Sequence, residues 1–332
     1  MSFYRPLVYC AVVLTFLVIV VGAYVRLADA GLGCPDWPGC YGQLIGVPDE
    51  AHEIARAQKA FPGKPVDTSR ARKEMFHRYL AATLGFLVAA ITAIAWTRRR
   101  ETGRAPVLAF ALFALVVFQA TLGMWTVTML LKPAIVTLHL LGGMATFAVL
   151  LWLALRELDT QPPAAELARR MRPWAAGGLA VLGVQIALGG WVSANYAALA
   201  CADFPACHGQ WLPQMDFGNA FHVLRELGVT ASGAPLSYEA LTAIHWSHRV
   251  GALVTLVYLG TLALWALRAP PLRLAGAALL LLLLAQAGLG IANVLMRLPL
   301  ALAAAHNGGA ALLLAALVVL NFVVFRKQNR QD

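Results

Sequence analysis

Long apolar runs separated by short polar breaks dominate the chain. Eight of them, at roughly 7–27, 73–96, 106–130, 134–155, 174–196, 241–267, 272–294 and 299–325, are long enough to cross a bilayer, since a helix rises about 1.5 Å per residue and the hydrocarbon layer is about 30 Å thick. The pattern predicts an all-α polytopic membrane protein with eight transmembrane helices. The stretches 49–61 and 215–229 mix acids, bases and apolar residues at helical spacing, which predicts interfacial helices. Arg5, the first run and Ala28-Asp29-Ala30 imitate a secretory signal. The run is longer than a signal core, and the repeat described below needs it, so this helix is expected to stay.

Composition agrees with the pattern: 60% hydrophobic residues, 13% charged and a mean hydropathy of +0.69 exclude an ordinary soluble domain. The net charge of +10 falls mostly in short segments between apolar runs, which points to anionic membrane lipid as the partner and not to nucleic acid. Arg98-Arg99-Arg100 to Arg104, Arg156 to Arg172, Arg268 to Arg273, and Arg326, Lys327 and Arg330 all fall on one side. The positive-inside rule makes that side cytoplasmic, with both termini there, as in a multi-pass protein of the inner membrane. The basic residues between the first two spans, Arg56 to Lys73, sit in a long loop of little topological weight.

A single constant shift lays Cys34-Pro35-Asp36-Trp37-Pro38-Gly39-Cys40 on Cys201-Ala202-Asp203-Phe204-Pro205-Ala206-Cys207, and carries Gln119 to Gln286, Gly123 to Gly290 and His139 to His306. With a slightly longer loop in the second copy, His77-Arg78 lands on His248-Arg249. Duplication follows: two tandem pseudo-symmetric four-helix bundles, 1–160 and 161–332, in the same orientation. Gly22, Gly85, Gly123, Gly189, Gly190 and Gly290 give the close approach that helix packing in lipid favours.

His77, His139, His248 and His306 fall at a common depth, about 10 Å below the outer face. One intramembrane histidine is as well explained by a hydrogen bond to a neighbouring helix. Four at matched depth, in two pairs on facing helices and without a cysteine or second carboxylate beside them, point to heme iron held between imidazoles. The halves differ one turn earlier, where Glu74 precedes His77 and His245 precedes His248. Glu74 can move protons, or form a salt bridge with Arg78 or Arg70; Arg78 and Arg249 can hold heme propionates or snorkel to the interface, with His245 a milder acid-base group.

The pairs Cys34/Cys40 and Cys201/Cys207 are expected to form disulfides in outer loops facing an oxidising compartment, where both a stabilising and a redox role fit. Cys10 reads as inert packing in the first span. His52, His208 and His222 read as surface residues.

Several segments resemble the heme A synthases: Val25-Arg26 leading into Gly31-Leu32-Gly33-Cys34-Pro35-Asp36-Trp37-Pro38, Glu74-Met75-Phe76-His77-Arg78, His139, His245-Trp246-Ser247-His248-Arg249 and His306. The resemblance spans nearly the whole chain. It implies oxidation of the C8 methyl of heme O to the formyl group of heme A for cytochrome oxidase assembly. It further implies substrate heme between His77 and His139 with Glu74 as the catalytic carboxylate, and heme b on His248 and His306. Many members of that family lack one or both cysteine pairs, so the pairs are not indispensable to the chemistry. Heme O synthase, an electron-transfer partner and a second copy of the chain are the expected protein partners. A di-heme cytochrome b electron-transfer subunit and a heme transporter are the other functions that paired intramembrane histidines fit. Glu74 beside only one pocket favours the enzyme.

Overall fold

A computed structural model of the chain describes residues 3–102, 106–158 and 163–326. The expected junction at 160/161 and the charges of Arg104, Lys327 and Arg330 lie outside the described residues. Eight long apolar helices run through it: α1 Tyr4–Leu27, α2 Thr68–Thr97, α3 Val107–Thr128, α4 Pro133–Arg156, α5 Ala165–Ala194, α6 Tyr238–Arg268, α7 Arg273–Leu295 and α8 Leu300–Phe325. Among the described residues there is no strand.

The helix ends follow local chemistry. Asp67 accepts the Arg70 amide at 3.0 Å to cap α2, and Ser237 accepts the Ala240 amide at 3.2 Å to cap α6. Pro133 starts α4, where its missing N–H costs nothing. Helix α5 begins well before the apolar run, because Glu166 pairs with Arg169 and Arg170 along a solvated first turn.

Non-glycine residues with left-handed backbone end four of the helices or turn the two cysteine loops: Asp29, Tyr41, Leu130 and Leu131 in the first half, and Tyr196, His208, Arg297 and Leu298 in the second. Each is carried to its counterpart by the shift that carries Cys34 to Cys201. Such a conformation is uncommon for side chains with a Cβ. Matched positions therefore mean that both halves impose the same turns.

Helix α1 packs on α2 and α4, and α3 closes the ring by packing on the same two helices. In the second half α5 packs on α6 and α8, with α7 against both. The halves meet where α1 lies against α8 and α4 against α5 and α8. The largest core cluster crosses that seam, joining Ile19, Met144 and Phe147 to Leu182, Leu259 and Leu317. Gly276 brings α7 onto the backbone of α6; a Cβ there would lie 2.9 Å from the Ala263 carbonyl oxygen.

Two expectations change. Residues 51–60 do form a helix, closed by a capping box between Glu50 and Glu53, but 215–229 contains only the single turn Phe217–Ala220. Beyond it the chain is drawn inward by Arg225, which is buried against Trp191 and gives Nη2 to Asn195 Oδ1. Cys10 is exposed on the outside of the bundle instead of packed within it, because its position on α1 faces away from the neighbouring helices.

Candidate heme sites

Each of the four histidines rests on a glycine of an adjacent helix. His77 lies against Gly22 of α1, His139 against Gly123 of α3, His248 against Gly189 of α5 and His306 against Gly290 of α7; Cβ atoms built on these glycines would stand 2.8, 3.4, 3.1 and 3.2 Å from the imidazole Cε1 atoms. The glycines pair at the same repeat offset as the turns. A Cβ would crowd the ring at Gly22, Gly189 and Gly290 and stand in ordinary contact with it at Gly123. His77 lies within electrostatic range of His139, and His248 within electrostatic range of His306.

The Nδ1 atoms of His77, His139 and His306 are buried without a protein partner. Leaving such nitrogens unpaired in a low-dielectric interior is costly. Among the described residues no cluster of three His, Cys, Asp or Glu could hold a bare metal ion. Two facing imidazoles in an apolar surround suit heme iron, whose other four ligands come from the macrocycle. The donor set fits a heme in each half.

Above each pair a cysteine loop is clamped to the helix below. Cys34–Cys40 and Cys201–Cys207 are disulfides, as the spacing predicts. Asp36 accepts the Tyr41 and Gly42 amides at 2.6 and 2.8 Å, and Asp203 accepts those of His208 and Gly209, both at 2.8 Å. These bonds hold the Asp203 carboxyl below its ordinary value, the Gly209 amide contributing most.

Glu74 is 5% exposed; one carboxylate oxygen accepts the Cys34 amide at 3.0 Å and the other pairs with Arg78. Arg78 in turn donates to the carbonyls of Asp36, Pro38 and Gly39. In the second half His245 Nδ1 accepts the Cys201 amide at 3.2 Å, while Arg249 donates to the Ala206 and Cys201 carbonyls at 2.9 and 2.6 Å and lies 3.4 Å from His245 Nε2. Glu74 therefore forms the salt bridge with Arg78, whereas Arg70 pairs with Asp67 at 3.3 Å. Both arginines expected near propionates spend their terminal nitrogens largely on loop carbonyls.

Other residues gain a role that the sequence did not assign. Arg26, part of the Val25-Arg26 segment, donates to the Ser193 carbonyl at 2.9 Å and stacks 4.1 Å over Tyr196. Gln185 contacts His248. Position 185 matches Val18 at the repeat offset, so the duplication gave no signal for it.

Residues 5–318 match the family described as cytochrome oxidase assembly protein. A heme A synthase of Shewanella oneidensis is 44% identical over 319 residues, covering 96% of this chain and 95% of that protein. Heme A synthases of a Chelativorans species and of Caulobacter vibrioides are 31% and 30% identical, covering 96% and 91% of this chain and 88% and 90% of their own lengths. With its paired histidines, matched loops and near-complete overlap, the chain belongs to the heme A synthase family of cytochrome oxidase assembly proteins.

Proposed function

We propose that the protein is a heme A synthase of the inner membrane, oxidising the C8 methyl of heme O to the formyl group of heme A in its first half and carrying electrons through a heme b in its second. Residues 1–160 and 161–332 are the two pseudo-symmetric bundles of this reading, with both termini cytoplasmic and the disulfide loops outside. The observation that carries it is the pairing of four glycine-backed histidines with a carboxylate beside only one pair.

His77 and His139 would hold the substrate heme, with Glu74 one turn before His77 on the same helix. Each two-electron oxidation of the methyl carbon that takes its oxygen from water releases two protons and two electrons; the electrons would leave to an electron-accepting partner, and Glu74 would take up a proton, with Arg78 carrying the balancing charge and fixing the carboxylate. Arg78 and Arg249 clamp the two loops above the sites, with His245 beside Arg249. His248 and His306 would hold heme b, which would supply electron transfer. An electron-transfer partner completes the path, and heme O synthase supplies the substrate.

Expression with a heme O source, followed by extraction and chromatography of the non-covalent hemes, tests the reading. Heme A is expected alongside heme b. Heme b in both sites with no heme A would favour an electron carrier, and loss of all heme on purification a transporter.

A further inference from the structure

Among the four histidines only His248 has a protein group on Nδ1. Gln185, reaching from α5, places its Nε2 3.1 Å from that atom and donates to the His248 carbonyl at 3.1 Å. Gly251 of α6 makes room: a Cβ there would collide with Gln185 Oε1 and lie 2.9 Å from Leu188 Cδ1. A glutamine seated on a glycine recurs at Gln286 on Gly309, where Nε2 donates to the His306 carbonyl at 2.9 Å, and at Gln119 on Gly142. One place lacks it. The first-half counterpart of Gln185, at the offset that relates Cys34 to Cys201, is Val18; that of Gly251, at the offset that relates His77 to His248, is Leu80. Neither side chain can hydrogen-bond, and His77 Nδ1 is left buried and unpartnered.

A histidine ligand is held in orientation, and made a better donor to its metal, by a hydrogen bond at its other ring nitrogen. Iron held at Nε2 leaves Nδ1 as an N–H donor, so Gln185 supplies that bond through the now unpartnered Oε1, which a half-turn of the amide exchanges for Nε2 in place of its bond to the His248 carbonyl. We propose that Gln185 is a positioning residue that fixes His248 as a permanent heme ligand, and that Val18 with Leu80 leaves His77 as the ligand able to yield. A resident electron carrier needs the first property. A site that admits heme O and releases heme A needs the second. The inference rests on the heme reading above.

The test uses the full-length purified protein and measures two things: transfer of heme b to apomyoglobin, and binding of carbon monoxide to the reduced heme b. Gln185→Val should speed heme b transfer by about 10- to 100-fold, the usual cost of losing such a partner, and should let carbon monoxide bind. Gln185→Val with Gly251→Leu, which refills the vacated space with the residues of the first half, should do the same if the single variant folds poorly. Val18→Gln with Leu80→Gly should slow transfer of heme from the first half by a similar factor. Transfer rates and carbon monoxide binding equal to the parent's in all three would overturn the role of Gln185. A parent that holds no low-spin heme b would instead remove the heme reading itself, and would show it before any substitution is made.

Discussion

The two cysteine loops are held down in the same way by different chemistry. Under the first, a carboxylate takes the Cys34 amide and an arginine takes three carbonyls; under the second, an imidazole takes the Cys201 amide and an arginine takes two. Holding a loop therefore requires an acceptor at this position but not a negative charge. A buried ion pair carries a desolvation cost that its attraction does not reliably recover, and the cost rises inside a membrane. His245 shows that a neutral ring does the structural work. The charge on Glu74 is surplus to that work, and proton transfer beside the first histidine pair is the use that fits it.

The sharpest way to break this comparison is to remove ligands from one half at a time. His248→Ala and His306→Ala should each abolish the low-spin heme b spectrum of purified protein. His77→Ala and His139→Ala should leave that spectrum intact while ending heme A formation. A low-spin heme b persisting in both second-half variants would place its ligands elsewhere.

A smaller effect is expected when the clamps are exchanged. Glu74→His copies the second half, keeping an acceptor for the Cys34 amide while removing the carboxylate. It should fold, retain heme b and lower heme A yield by about 10²-fold or more, the scale of general acid-base catalysis. Glu74→Gln should act alike. Yield is normalised to heme b absorbance, so a purely structural carboxylate would give a normalised yield equal to the parent's in both variants.

Much of this difference is legible in the sequence because its internal match sets each loop residue beside a counterpart. The spans are legible from apolar run length, the disulfides and His139 with His306 from identity at one offset, and His77 with His248 after allowing a slightly longer loop. The glycines behind the histidines were visible only as small residues, since sequence does not say which ring rests on which helix. Arg78 and Arg249 were read outward, toward propionates, whereas the structure turns both onto loop carbonyls that no periodicity signals. The stretch 215–229 has helical spacing, yet burial of Arg225 overrides local propensity there. Gln185 was missed for the opposite reason to the rest: it breaks the repeat.

The disulfides come next in size. Each closes a short loop, so opening one should cost about 2 kcal/mol, and the matched clamps predict nearly equal losses for Cys34→Ser with Cys40→Ser and for Cys201→Ser with Cys207→Ser. Thermal unfolding of the two double variants checks this. Mass spectrometry of non-reduced peptides checks the pairing, and free thiols or bonds between the halves would overturn it.

The smallest effect concerns Asp203, whose two carboxylate–amide bonds organise the second loop. Its carboxyl is lowered in the folded protein by the Gly209 and His208 amides. A depressed carboxyl stabilises the folded loop above its ordinary value of about 3.9, and that contribution disappears as pH falls through the folded value. Protection factors of the His208 and Gly209 amides should therefore hold from neutral pH down into the ordinary aspartate range and fall only below it. In Asp203→Asn, which keeps one acceptor and loses the charge, they should be lower at neutral pH and nearly flat with pH. The disulfide and the Arg249 contacts still hold the rest of the loop, so the change should stay local, with heme b absorbance unaltered. Protection that is the same in parent and variant across this range would mean that the disulfide and Arg249 alone fix the loop, and that Asp203 follows the turn instead of making it.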